Sequence, residues 1–209
     1  YIFHPYIRYI YNYYIVHIKG RYHIMTSYTI LINRNHPLPK DFLPDFLTEP
    51  VIPFSAPPND QKRLLQKEAA LAVTLLFDQA ASEGIGLIGI SGYRSYSRQK
   101  ELYENAIQRG CAAVAPPGAS EHQSGLALDV SCAAIGLELE NTFADTREGK
   151  WLTKHAPLYG FILRYPKDKE HITGYPWEPW HIRYVGKSLS LYCSLTNLTL
   201  EEYYSQLKH

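Results

Sequence analysis

With 209 residues, 45% of them hydrophobic and 20% charged, the chain can bury a substantial core and suits one domain with modest extensions. A net charge of +1 gives no global electrostatic argument for a nucleic-acid or membrane-surface partner. Cys111, Cys132 and Cys193 have no CxxC spacing, and their odd number excludes a fully paired framework. They read as buried or free thiols, with room for a single pair.

The first forty residues contain no Asp or Glu, and eight of the eighteen tyrosines fall between Tyr1 and Tyr28. The most membrane-like run, Tyr9 to Ile18, is far short of the ~20 apolar residues a spanning helix needs, and it includes Asn12 and His17. No leucine-rich core precedes an Ala-x-Ala site, so no secretory signal is visible. The only methionine is Met25, and composition becomes ordinary soon after it. Residues 1–28 are therefore expected to be an extension outside the folded domain, disordered or not part of it. Residues 29–209 are expected to form the domain. A degenerate membrane-proximal anchor is the competing reading of the start.

Ile30 to Asn33 predicts a short strand stopped by Pro37, and the proline-rich stretch from Pro37 to Pro58 an ordered arm. Asn59 or Asp60 is expected to cap a helix to Ser82. Its apolar stripe is Leu65, Ala69, Ala72 and Leu76, widened by Leu64, Leu71 and Leu75. A buried strand over Ile85–Ile90 leads into Ser91-Gly92-Tyr93-Arg94-Ser95-Tyr96, and a second helix runs from Ser97 to Gln108, closed by Gly110. Asp145 or Thr146 is expected to cap a helix carrying Trp151, Leu152 and His155. Strands are expected at Gly160–Tyr165 and Trp180–Val185, with a polar loop between them. The tail reads as helical, with Thr199 and Glu202 forming a capping box.

The segment Ser120 to Val130 carries the chemistry. Leu126, Leu128 and Val130 alternate with Ala127, Asp129 and Ser131, as on a strand. A carboxylate on such a buried face is costly unless something cationic meets it, and a metal ion is expected there rather than Lys or Arg. Farther along, Glu178-Pro179-Trp180-His181 offers a second His with a Glu three residues before it. His122, Asp129 and His181 make a three-ligand zinc set with one position left for water, whose pKa would fall to about 7. Glu178 remains as a general base. An ideal strand would place Glu178 and His181 on opposite faces, so a bend at Pro179 is expected.

Ser91-Gly92-Tyr93-Arg94-Ser95, Ser120-x-His122-x-x-Gly125-x-Ala127-x-Asp129 and Glu178-x-x-His181 with Arg183-Tyr184-Val185-Gly186 closely resemble the VanY-type D-alanyl-D-alanine carboxypeptidases. These belong to a wider group of zinc peptidases that includes lysostaphin-type enzymes and hedgehog domains. The resemblance covers Ile30 to Gly186. It implies an α+β fold, helices around a small antiparallel sheet, with Zn2+ on His122, Asp129 and His181 and Glu178 as base. It also implies that Arg94 holds the substrate's terminal carboxylate or the developing oxyanion, both suited to a planar guanidinium. Ser95, Tyr96, Gln99 and Ser120 would supply neighbouring substrate hydrogen bonds, helix capping being the alternative for Ser95. Trp177 and Trp180 would wall the cleft or pack in the core. His171 is a minor candidate.

The expected activity is zinc-dependent removal of a C-terminal D-Ala from peptidoglycan stem peptides, at a D-Ala-D-Ala or an LD bond. A cell-wall endopeptidase of the lysin type and a non-catalytic zinc-stabilised binding module are the alternatives. The implied partner is the stem peptide or its precursor, with no nucleic acid, no clear membrane span and a monomeric chain. The substrate class suggests an extracytoplasmic location, and the lack of a visible signal leaves a cytoplasmic one open.

Overall fold

The computed structural model describes residues 28–110 and 114–207, together with three backbone strands before them. These are β1 (Arg8–Ile10), β2 (Tyr13–Ile18) and β3 (Arg21–Thr26), which pair antiparallel in a sheet of their own. The expectation for residues 1–28 falls partly outside the described residues, and Cys111 lies wholly outside them.

Ile30, Leu31 and Ile32 are buried, but they do not form the expected strand. The Tyr28 and Ile30 carbonyls accept from Arg183 Nη2 at 3.0 and 2.9 Å, so side-chain donors take the place of a ladder. Asn33 Oδ1 closes the following turn by accepting from the amides of Asn35 and His36. The proline-rich arm is ordered and contributes β4 (Leu47–Thr48), which pairs with β5 (Leu65–Gln66).

The first long helix, α1 (Lys67–Ser82), ends where expected but begins several residues late. Asp60 caps only a 3-10 turn over Gln61–Arg63. The Lys62 and Leu64 carbonyls accept from the amides of Gly92 and Tyr93, and the Gln66 amide donates to the Gly125 carbonyl. Those groups brace the site loops instead of entering the helix. The buried stripe of α1 is Ala69, Val73, Leu76, Phe77 and Ala80, while Leu71 and Leu75 point to solvent, so the expected face was turned by about one position.

Beyond it lie β6 (Ile88–Ser91), α2 (Tyr96–Gln108), β7 (Ala127–Ser131), α3 (Arg147–His155), β8 (Phe161–Tyr165), the one-turn α4 (Glu170–Thr173), β9 (Glu178–Tyr184), α5 (Lys187–Thr196) and α6 (Leu200–Gln206). Thr146 caps α3 by accepting from the Gly149 amide at 2.9 Å. In α6 the Thr199–Glu202 capping box is complete on both sides.

The main sheet is antiparallel in the order β6-β7-β9-β8. Val73 and Leu76 of α1, Leu152 of α3, Leu128 and Val130 of β7 and Ile182 of β9 share its principal core. Each such side chain contributes ~1.5–3 kcal/mol by leaving water. A second cluster, Leu31, Ile162, Val185, Leu189, Cys193 and Leu200, fastens α5 and α6 to β8. The class is α+β with helices around a small antiparallel sheet. Among the described residues no helix is long and apolar enough to cross a membrane.

Candidate metal centre and active site

Residues Glu121–Ser124 form a buried 3-10 turn that hands the chain to β7 through Gly125 at φ 70°. A Cβ there would also sit 2.8 Å from Leu47 Cδ2, so the left-handed backbone favours glycine and any side chain would have to displace Leu47. The turn fixes His122, and β7 places Asp129 in register with Ser91 of β6 and His181 of β9.

His122, Asp129 and His181 are each at most 5% exposed and offer ligand atoms within 4.8 Å of one another. Asp129 Oδ2 lies 3.2 Å from His122 Nε2, and its Oδ1 lies 2.9 Å from His181 Nδ1. His122 Nδ1 sits 2.7 Å from the Gly92 carbonyl, which can only accept, so the proton belongs on Nδ1 and Nε2 is free to ligate. His181 is turned the other way, with Nε2 at 3.4 Å from Glu121 Oε2 and Nδ1 facing the centre. Two imidazole nitrogens and a carboxylate, each imidazole held from behind by an acceptor, fit zinc with one position left open.

Electrostatics separate the two imidazoles. Burial, aided by Arg94, pushes His122 down against the pull of Asp129. Burial works the same way on His181, but hydrogen bonds to Asp129 and Glu121 raise it to about 10. Burial alone would raise Asp129, yet the flanking imidazoles hold it far below the usual carboxylate range. Zinc takes both imidazoles neutral, so binding displaces any proton held on a ligating nitrogen and leaves the one on the opposite nitrogen.

Glu178 reaches the same place through an irregularity in β9. Leu163 pairs with Ile182 and Tyr165 with Glu178, so two steps on β8 face four on β9. The ladder is thus irregular over Pro179–His181, and Glu178 Oε2 comes to 3.9 Å from His181 Nδ1. Burial pushes the Glu178 carboxyl up to about 7, with His181 pulling it down and Asp129 and Glu121 pushing it up.

Arg94 leaves β6 half-buried. Its amide donates to the His122 carbonyl at 3.1 Å, Nη1 donates to Gln99 Oε1 at 2.9 Å and Nη2 to Ser91 Oγ at 3.2 Å. Burial works against its charge, and the carboxylates of Asp129 and Glu178 favour it. Gln99 is buried and donates to the Ala115 carbonyl at 2.7 Å, so it positions the guanidinium from α2.

The other expected contacts have different surroundings. Ser95 Oγ caps α2 by accepting from the Arg98 amide, the alternative weighed for it. Tyr96 opens α2 half-buried, and Ser120 is buried ahead of the His122 turn. Trp180 packs against the principal core. Trp177 lies under the Lys167 ammonium and lines a cavity of about 350 Å³ with Leu163, Lys167 and Pro179. His171 is exposed on α4.

Glu121 and Arg164 went unread in the sequence, and Arg183 was quoted only as part of the motif; all three are buried and joined beside His181. Burial would raise Glu121, but the guanidiniums of Arg183 and Arg164 hold its carboxyl well below the usual range. The available signal was an acid immediately before a ligand histidine.

The model of the VanY family, described as D-alanyl-D-alanine carboxypeptidase, matches residues 62–187. The putative carboxypeptidase YodJ of Bacillus subtilis (strain 168) is 46% identical over 183 residues, 85% of this chain and 67% of that protein. A D-alanyl-D-alanine carboxypeptidase of Enterococcus faecium is 41% identical over 150 residues, 71% of this chain but only 46% of the relative. This chain thus spans about half the length of that enterococcal protein. Among solved structures, the LD-carboxypeptidase LdcB superposes with a TM-score of 0.83 at 44% identity, covering 91% of this chain and 92% of that one. A vancomycin-resistance D,D-pentapeptidase VanY from a VanB-type cassette, solved with Zn(II), gives 0.69 at 32% identity, covering 85% and 99%.

Proposed function

This chain belongs to the VanY D-alanyl-D-alanine carboxypeptidase family, and on that premise we propose that it is a zinc carboxypeptidase that removes a C-terminal D-Ala from peptidoglycan stem peptides. The observation that carries this reading is one small centre with three converging donors, Glu178 at its edge and Arg94 beside it.

His122, Asp129 and His181 would hold the zinc. When bound, the ion supplies a Lewis acid that polarises the scissile carbonyl and makes water an effective nucleophile near neutral pH. Glu178, at the edge of the centre 3.9 Å from His181, would in its ionised form accept the proton of the attacking water and deliver it to the leaving amine. Arg94, held in orientation by Gln99 and Ser91, pairs with the substrate's terminal carboxylate through its planar fork. All these groups come from one chain, so a monomer suffices.

Between the two candidate bonds, the higher likeness to LdcB favours an LD bond, as at the end of a tetrapeptide stem. The substrate class supports action outside the cytoplasm. The segment up to β3 would then stand apart from the catalytic domain, a reading supported by the separate pairing of β1–β3, whereas Tyr28 is held to the domain by Arg183. Incubation with pentapeptide and tetrapeptide stems, with product masses recorded, tests the assignment. Loss of one D-Ala from the tetrapeptide is expected. Cleavage of D-Ala-D-Ala alone would replace the LD assignment, and internal cleavage would establish an endopeptidase. No hydrolysis of any stem by zinc-loaded protein would leave the binding module.

A further inference from the structure

We propose that Glu121 is a positioning residue for His181, and that the C-terminal helix α6 secures it through Arg164 and Glu201. The inference rests on the three-donor zinc reading and extends it to groups that touch neither metal nor substrate.

Glu121 Oε1 accepts from Arg164 Nε and Arg183 Nη1, both at 2.7 Å, which leaves Oε2 to face His181 Nε2 at 3.4 Å. Arg164 carries the connection onward, donating from Nη1 to Glu201 Oε2 at 2.9 Å and from Nη2 to Glu201 Oε1 at 2.6 Å. Glu201 Oε1 also accepts from Asn33 Nδ2 at 3.0 Å. Arg183 is held by the Tyr28 and Ile30 carbonyls. Two guanidiniums and two carboxylates close a charge-neutral set inside the protein, the condition under which such burial is tolerated.

The set would be neutral without any contact to His181, so the free oxygen aimed at Nε2 has a separate effect. It retains the proton on Nε2, leaves Nδ1 for the cation and fixes the ring's rotation. A negative group behind the imidazole also makes the ligating nitrogen a stronger donor. Glu201 lies on α6, so the helix at the far end of the chain helps hold the ligand in place.

The test uses the full chain and zinc itself. Competition with a chelator should show zinc bound 10–100-fold more weakly by Glu121→Gln, and more weakly to a smaller degree by Glu201→Gln. Nitrogen-15 NMR of the zinc-loaded wild type should place the His181 proton on Nε2. A folded Glu121→Gln with wild-type zinc affinity overturns the inference, because a purely structural glutamate would lower melting temperature alone. So does a His181 proton on Nδ1, and this wild-type measurement decides the matter if Glu121→Gln fails to fold. A wild type that binds no zinc overturns the metal centre together with it, whereas failure in the variants alone leaves the centre standing.

Discussion

The Glu178 carboxylate and the His181 imidazole meet at 3.9 Å, although residues three apart on an unbroken strand face opposite sides of a sheet. Here the strand is not unbroken, because its pairing with β8 is irregular between these two residues. Glu178→Gln keeps the shape of the side chain but cannot take a proton from water. Turnover should fall ~10²–10⁴-fold while zinc content holds. Steady-state kinetics beside metal analysis checks this, and loss of zinc would show Glu178 to be a ligand.

His122→Ala, Asp129→Ala and His181→Ala should each abolish stoichiometric zinc. Because zinc binds the folded state, stripping it from the wild type should lower the melting temperature, with recovery when it is restored. Full occupancy in any one variant would remove that residue from the ligand set.

Arg94→Lys retains charge but loses the fork that Gln99 and Ser91 orient. A charged hydrogen bond is worth about 1.5–3 kcal/mol. Catalytic efficiency on substrates with a free terminal carboxylate should therefore drop roughly 10–100-fold, with zinc unaffected. A C-terminally amidated analogue should be equally poor with wild type and variant. If the variant matches wild type on the free acid, Arg94 is not the anchor.

Gly92 joins stability to the metal site. A Cβ on it would lie 2.6 Å from the Leu64 carbonyl oxygen and 2.9 Å from that of Lys62, while its own carbonyl orients His122. Gly92→Ala should destabilise the fold by ~1–3 kcal/mol and weaken zinc binding, because the backbone must move. Thermal melting and chelator competition report the two effects separately. An unchanged melting temperature would contradict the close packing.

Local signals carried much of this structure into the sequence. Thr146 and Thr199 announce their helices by hydroxyls placed before a first turn, and alternation around Asp129 marks β7. Those signals act over a few residues. Glu121 is different: its partners lie 43 and 62 residues away, and an isolated glutamate in a sequence reads as solvated. The late start of α1 has a similar cause, since the carbonyls of Lys62 and Leu64 bond to Gly92 and Tyr93, which propensity cannot anticipate. An irregularity near Pro179 was foreseeable from the missing donor, but the register shift itself depends on the partner strand β8.

Cys193 lies on the buried face of α5, and burial pushes its thiol up to about 11. Thiolate is the reactive form, so at pH 8 native Cys193 should resist alkylation. Rapid modification is expected only after unfolding, and peptide mass mapping distinguishes the cysteines. Fast labelling of the native protein at Cys193 would show that this core opens.

The adjacency of β7 and β9 bears on how the chain folds. Asp129 and His181 are 52 residues apart, and β9 lies between β7 and β8 in the sheet. Joining such distant segments costs loop entropy before any contact compensates for it. The donors are assembled only near the end of that process, so the ion grips a nearly finished protein. Zinc should accordingly slow unfolding far more than it speeds refolding, acting as a latch on the native state rather than a seed for it.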